Sequence, residues 1–512
     1  MLHASLTVDP AFRVADVNPR TFGSFVEHMG RCVYTGIHEP GHPHADEDGL
    51  RRDVLDLVRE LGVTTVRYPG GNFVSGFRWE DSVGPVAERP TRLDLAWHST
   101  ETNAFGLHEF TRWAAKAGVE PMMALNLGTR GVQEALDLLE YCNHPGGTAW
   151  SDQRIANGAR DPFGIRMWCL GNELDGPWQT GHKTAAEYGR LAAETARAMR
   201  MIDPGLELVA CGSSSSSMPT FGAWEATVLE EAYDQVDYIS CHAYYEELDG
   251  DLGSFLASPV DMDGFIESVV ATADHIRAKQ RRKKRINLSF DEWNVWYNTR
   301  FEARGKPAEW AVAPRVIEDE YDVADAVVVG GLLISLLRRS DRVTAASLAQ
   351  LVNVIAPIRS EPGGPSWRQT TFHPFAQAAR YARGTVLRVE PLSPTYETSR
   401  FGEVPVVDAV ATHIAGADGP DELTVFAVNR HAGDDVELAL CLGAFPGYTP
   451  VAHSVLSDPD IRATNTQDDP DRVRPHEAGT APVTDGRLTV RLPPVSWNVI
   501  RLRRAAAGRP TD

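Results

Sequence analysis

The chain has 512 residues, 43% hydrophobic and 23% charged, the composition of a folded globular protein with room for a large barrel and a second domain. Its 70 Asp and Glu outweigh 50 Lys and Arg, and a formal net charge of −20 excludes nucleic acid as a partner because nothing would neutralise the phosphates. The six cysteines form no CxxC pair, which points to reduced, buried thiols rather than a disulfide framework or a zinc site.

In chain order, Met1–Pro10 has no basic segment followed by an apolar one, so no secretory leader and a cytoplasmic location are expected. Residues 3–9 alternate apolar and polar, and segment 1–17 is expected to pair into the C-terminal domain. From residue 18 to 384, short apolar runs alternate with long amphipathic segments. The runs predict strands over Phe22–Glu27, Thr64–Tyr68, Pro121–Leu127, Arg166–Leu170, Glu207–Gly212, Val236–His242, Ile286–Phe290 and Thr344–Leu348. The spacing between them predicts helices over 48–61, 104–117, 131–143, 184–201, 222–234, 262–280, 317–339 and 371–383. Strand and helix alternating eight times give an α/β fold, a (β/α)8 TIM barrel. An open doubly wound sheet would show a Gly-rich phosphate loop after its first strand, and Glu27-His-Met-Gly-Arg-Cys32 is not one. The apolar stretch Ala324–Leu337 is too short for a membrane span and reads as a buried helix. Residues 385–503 turn to short alternating segments separated by Gly, Pro and Asp, which predict an antiparallel, jelly-roll-like β-sandwich. Residues 504–512 are expected to be a disordered tail.

Two apolar runs end in acids: Trp168-Cys-Leu-Gly-Asn-Glu173 and Leu288-Ser-Phe-Asp-Glu292. Placed on the barrel, Glu173 and Glu292 follow strands four and seven and meet on the C-terminal rim, where active sites of this fold sit. The other strand ends deliver Glu27, Arg67, Asn126, Asn172, Ser213, His242 with Tyr244, and Gln350 to the same rim. Two opposed carboxyls, one protonated and one ionised, are what cleavage of a glycosidic bond requires. Asn172 can donate to a sugar hydroxyl, and Tyr244 can donate to the ionised acid. Trp97, Trp178, Trp293 and Trp296 offer apolar faces to sugar rings, with simple packing of the rim the alternative for Trp293 and Trp296. Asp291 and Glu292 are neighbours, and along a regular strand only one of them points into the pocket. His242 reads as a core histidine or a pocket group, and the lack of a second histidine at ligand spacing argues against a metal. Residues 302–317 form a long insertion on the catalytic rim, read as a lid or an inter-subunit arm.

The sequence resembles glycoside hydrolase family 51, the α-L-arabinofuranosidases of the clan A barrel group. The resemblance rests on Phe25-Val-Glu-His28, Arg31-Cys-Val-Tyr-Thr-Gly-Ile-His-Glu-Pro40, Val66-Arg-Tyr-Pro-Gly-Gly-Asn72, Trp168–Glu173, His242-Ala-Tyr-Tyr245 and Phe290-Asp-Glu-Trp-Asn-Val-Trp-Tyr297. It implies a retaining double displacement, with Glu173 as general acid/base and Glu292 as nucleophile. It further implies that Glu27, Arg67, Asn72, Asn172, His242, Tyr244 and Gln350 enclose one terminal furanose. In that arrangement Glu27 and Asn72 bind its hydroxyls and Arg67 supports the nucleophile. No cofactor and no metal are implied. The implied substrates are arabinan or arabinoxylan oligosaccharides, and the implied assembly is a cytoplasmic homohexamer, with no membrane or nucleic-acid partner. The alternatives are another clan activity, such as endo-β-glucanase or β-xylosidase, or a catalytically inactive carbohydrate-binding homologue.

Overall fold

The computed structural model describes residues 1–416 and 421–504. Of the expected C-terminal tail only Arg504 falls among them, and it closes the last strand. Eight parallel strands close into a barrel in chain order: Gly23–Phe25, Thr65–Tyr68, Glu120–Ala124, Met167–Cys169, Glu207–Ala210, Tyr238–Tyr245, Asn287–Val295 and Val343–Leu348. The first pairs with both the second and the eighth, which seals the ring. Strands in such a barrel are covered on both faces, so their sequences are apolar throughout rather than alternating. Met167–Cys169, buried at every residue, is an example.

Helices follow the strands and wrap the outside. Arg52–Leu61 shows why the pattern works: Val54, Leu55, Val58 and Leu61 make one buried stripe at helical spacing. Gly62 ends it at φ 79°, a left-handed position that glycine takes without strain. At the N-terminal end of the barrel, Arg20 donates from Nε to Glu120 Oε2 at 2.7 Å and from Nη1 to Glu207 Oε2 at 2.6 Å. It thereby ties the entry of the first strand to the third and fifth.

The first and third strands stop short of their expected ends, at Phe25 and Ala124, and two others run past theirs. The sixth runs on to Tyr245 and the seventh to Val295, so Glu292 lies within the seventh strand rather than past its end. Against the sixth strand, Ser289 to Glu292 spans Ser240 to His242. Against the eighth, Phe290 to Trp293 spans Ala346 to Leu348. Between Ser289 and Trp293 the seventh strand thus carries one extra residue, a bulge at the position of Asp291; against the eighth strand it offsets an extra residue of that strand between Val343 and Ala345.

Three two-stranded hairpins aside, the remaining strands form two sheets. A seven-stranded sheet runs Arg13–Asp16, Thr385–Leu387, Val407–Ile414, Asp421–Asn429, Ser496–Arg504, Tyr448–Leu456, His476–Glu477. A three-stranded sheet holds Leu2–Thr7, Val436–Cys441 and Arg487–Leu492. The N-terminal segment supplies one strand to each sheet. Its first strand runs parallel to Val436–Cys441, so the pairing is not wholly antiparallel.

The helix Val323–Arg338 is buried at every residue from Val323 to Leu337. It is apolar all round because it lies between the barrel and the large sheet, with no face left for water. No helix among the described residues is long and apolar enough to cross a membrane. All six cysteines are free thiols, five of them buried.

A Cβ placed on Gly330 of this central helix would lie 2.4 Å from Trp497 Cε3 of the sheet. Gly330→Val is expected to cost about 1–3 kcal/mol through overpacking. A thermal scan should show a lowered midpoint, and an unchanged midpoint would refute this close approach.

Candidate active site

After Cys169 the chain leaves the fourth strand through Gly171 at φ 106° and reaches Glu173 at φ 43°. A left-handed backbone is uncommon for a residue with a Cβ and is typical of functional positions. Glu173 is 8% exposed. Its Oε1 lies 2.8 Å from His242 Nδ1, and its Oε2 accepts from Trp178 Nε1 at 2.7 Å. Trp178 folds back over Gly176, where a Cβ would meet the indole at 2.5 Å.

Glu292 is held from two other sides. Arg67 Nη1 donates to its Oε1 at 2.7 Å, and the Tyr244 hydroxyl donates to its Oε2 at 2.7 Å. Arg67 Nη2 donates to Asn172 Oδ1 at 2.7 Å, and Asn172 Nδ2 reaches Asn72 Oδ1 at 3.3 Å. One oxygen of Glu173, one of Glu292 and a ring nitrogen of His242 all lie within 4.8 Å of one another. Burial pushes the Glu292 carboxyl up, and Glu173 adds to this; His242, Arg67 and the Tyr244 hydroxyl work against it. His242 is driven well above its ordinary value: burial opposes its charge, but Glu292, Asp291 and Glu173 together outweigh burial.

The two acids open into a pocket of about 450 Å³ on the C-terminal rim. Glu27, Asn72, Trp97, Trp178, Tyr244, Trp296 and Gln350 line it alongside Glu173 and Glu292. Arg67, Asn172 and His242 stand behind the acids and do not line it. Glu27 Oε1 accepts from the Phe73 amide and from Trp97 Nε1, each at 2.9 Å, and Gln350 Nε2 donates to its Oε2 at 3.1 Å. Burial pushes Glu27 up to about 8, against the pull of those amide and indole donors. Gln350 Oε1 and Trp296 Nε1 are buried without a partner among the described residues. Such groups carry a desolvation cost that a polar ligand would relieve.

Several sequence expectations need correction. Trp293 is fully buried and stacks on Phe375 at 6.5 Å, so it packs the barrel wall and offers no face to the pocket. Asn126 is spent on the Phe77 carbonyl and Thr129, and Ser213 binds Glu225 through its amide; neither reaches the pocket. Of the two adjacent acids only Glu292 lines the pocket, as strand alternation requires, while the bulge keeps the Asp291 carboxyl inside the barrel as well. Asp291 does not line the pocket; it lies beneath, within 3.1 Å of His242 Nε2 and 3.7 Å of Arg67 Nε.

Lining residues not singled out in the sequence include Ser214, Ser215, Glu246, Phe301 and Lys306. Ser214 and Ser215 belong to the serine run 213–217 after the fifth strand, Glu246 follows the sixth strand, Phe301 immediately precedes the rim insertion and Lys306 lies in it. The insertion forms part of the wall through Glu302, Lys306 and Ile317, and Phe301 just before it lies 6.2 Å from Trp97 and 6.0 Å from Trp296. Its Ala311 bridges to Ser99, and its Trp310 packs 3.8 Å from His98.

Residues 57–254 match the family described as α-L-arabinofuranosidase 1 domain, and residues 291–496 the α-L-arabinofuranosidase C-terminal domain. The second match begins inside the seventh barrel strand, so it spans the end of the barrel as well as the β-domain. An intracellular exo-α-(1→5)-L-arabinofuranosidase of Streptomyces lividans is 63% identical over the whole of this chain and 77% of its own length. An exo-α-(1→6)-L-arabinofuranosidase of Bifidobacterium longum is 57% identical over 97% of each chain. Among solved structures, a family 51 α-L-arabinofuranosidase of Bifidobacterium longum superposes with a TM-score of 0.93 at 50% identity, covering 98% of this chain and 99% of its own. A Thermotoga maritima α-L-arabinofuranosidase in an arabinose complex gives 0.87 at 33%, covering 98% and 100%. A closed eight-stranded barrel with paired acids on its rim, in this company, is a glycoside hydrolase. Within that class, the chain belongs to the α-L-arabinofuranosidases of glycoside hydrolase family 51.

The two neighbouring tryptophans should separate by experiment. Trp293→Ala is expected to cost on the order of 3–5 kcal/mol as a core deletion. Trp296→Ala, at the pocket wall, should leave the thermal midpoint nearly unchanged. Equal losses of stability would contradict their placement.

Proposed function

We propose that the chain is an exo-acting, retaining α-L-arabinofuranosidase that removes terminal α-L-arabinofuranosyl residues from arabino-oligosaccharides. The observation that carries this is the pair of buried carboxyls, with oxygens within 4.8 Å, facing a rim pocket. Retaining glycosidases hold their carboxyls roughly 5–5.5 Å apart, whereas inverting ones leave roughly 6.5–9.5 Å for a water.

Glu173 serves as general acid/base and Glu292 as nucleophile. Burial and Glu173 push the Glu292 carboxyl up, and His242, Arg67 and Tyr244 oppose them by favouring the ionised form, the form that attacks the anomeric carbon. As the glycosidic C–O bond breaks, the leaving oxygen takes a proton from Glu173 and Glu292 becomes an arabinosyl ester. Water then attacks that carbon, gives its proton to Glu173, and frees Glu292. Glu27, Asn72 and the unpartnered Gln350 Oε1 are placed to meet the hydroxyls of one furanose, with Asn172 behind them holding Asn72. Trp97, Trp178 and Trp296 supply apolar surface. The closed end of the pocket at Glu27, Trp97 and Gln350 supports release of one terminal sugar at a time. The linkage named for the relatives is (1→5) in Streptomyces lividans and (1→6) in Bifidobacterium longum. The step proposed for this chain is common to both linkages. An intracellular place of action and a homo-oligomeric assembly, a hexamer, complete the reading. No observation favours a glucanase, a xylosidase or a binding-only role.

Glu173→Ala should lose turnover of arabino-oligosaccharides, and azide should restore turnover of aryl arabinofuranosides with good leaving groups. Glu292→Ala should be inactive on both, with kcat down by roughly 10⁴ or more; near-normal rates would sink the nucleophile assignment. Tyr244→Phe removes a hydrogen bond to ionised Glu292, which raises the pKa of that carboxyl. Since the ionised form attacks, the acid limb of the kcat/KM–pH profile should move to higher pH. A limb that stays in place would show that Tyr244 does not hold the nucleophile.

A further inference from the structure

Asp291 has no part in the steps above, yet it is 1% exposed at the centre of the barrel. Its Oδ1 faces His242 Nε2 at 3.1 Å. Its Oδ2 lies 3.6 Å from Cys169 Sγ and 3.7 Å from Arg67 Nε. The other edge of the same imidazole faces Glu173 Oε1 at 2.8 Å and Glu292 Oε2 at 3.6 Å. Asp291, His242 and Glu173 therefore form one buried line that ends at the acid.

Burial alone would raise the Asp291 carboxyl, but Arg67 and His242 outweigh it and hold it below the ordinary range. An ionised Asp291 can only accept, so Nε2 carries a hydrogen. That leaves one proton for the 2.8 Å gap between Nδ1 and Glu173 Oε1. Imidazolium beside carboxylate and imidazole beside carboxylic acid have the same proton count.

We propose that Asp291 is a positioning residue that fixes His242 as an Nε2–H donor, so that His242 Nδ1 and Glu173 Oε1 jointly hold the proton given to the leaving oxygen. This rests on the acid/base assignment of Glu173. When the glycosidic bond breaks, the pair loses that proton to the aglycone oxygen. When water attacks the ester, the pair regains one. The charged and titratable groups around the ring are Glu173 and Asp175 after the fourth strand, Asp291 and Glu292 on the seventh, Arg67 on the second and Tyr244 on its own strand.

Asp291→Asn tests this. A negative charge beside the ring favours retention of the shared proton, so its removal should move the alkaline limb of the kcat/KM–pH profile to lower pH, by about one unit. An arabino-oligosaccharide, whose leaving group needs the proton, should lose roughly tenfold or more in kcat/KM. A dinitrophenyl arabinofuranoside should lose much less. In a His242→Gln background, Asp291→Asn should not move the alkaline limb further. An equal loss on both substrates with the alkaline limb in place would overturn the proposal. So would a shift confined to the acid limb, which would mean that Asp291 acts through Arg67 on Glu292. Should Asp291→Asn not fold, the native protein still decides. Its His242 imidazole, labelled with nitrogen-15, should show Nε2 protonated across the active pH range, and an unprotonated Nε2 would overturn the proposal. Failure of the acid/base assignment would appear separately, as a Glu173→Ala enzyme that azide does not rescue.

Discussion

Arg67 sits in the middle of the barrel with 1% of its surface exposed, between Asp291 and Glu292. A buried guanidinium is tolerable only with close anionic partners, and buried carboxylates need a cation in return. The surroundings satisfy both demands. The second strand brings Arg67, the bulged seventh brings two adjacent acids inward, and the exit from the fourth brings Asn172 to the other side of the guanidinium. The backbone after the second strand must also pass close by. A Cβ on Gly71 would lie 2.9 Å from Glu292 Oε1, and one on Gly70 would lie 2.5 Å from Glu27 Cγ. The Pro-Gly-Gly run after Tyr68 thus lets two acids approach the main chain.

Much of this was readable in the sequence, for a physical reason. Strands covered on both faces must be apolar, so Trp168–Leu170 and Leu288–Phe290 stand out, and the first acids after them stand out as well. The stretch Ala324–Leu337, apolar but for Asp325 and Ser335, gave its buried helix in the same way. A bulge was harder to see, because one inserted residue leaves no compositional trace. The alternation rule assigned one pocket-facing acid, which holds, but it left Asp291 unread as a buried partner of His242 and Arg67. Trp293 misled for the same reason: its facing depends on register, which composition does not encode. Asn126 and Ser213 do stand at strand ends, but local loop contacts consume their polar groups.

The β-domain is more than an appendage. Arg462, from its loop region, donates to Glu247 at 2.6 Å beyond the sixth strand and to Asp322 at 3.1 Å at the start of the central helix. The same helix is clasped by Gly330 against Trp497. The rim on the side of Tyr244 and Glu246 is therefore braced from the β-domain, while the opposite wall is closed by the insertion through Ala311 and Trp310.

Glu173 holds a backbone shape that glycine or asparagine adopts more readily; for an ordinary L residue the left-handed region costs about 1–2 kcal/mol. Its carboxylate must also be desolvated beside Glu292. Both terms fall on a single residue, and both would vanish if glycine replaced it. Loss of the acid would release that backbone strain but strip His242 Nδ1 and Trp178 Nε1 of their acceptor. Any engineering of the scaffold that relaxes this backbone therefore has to select for turnover at the same time.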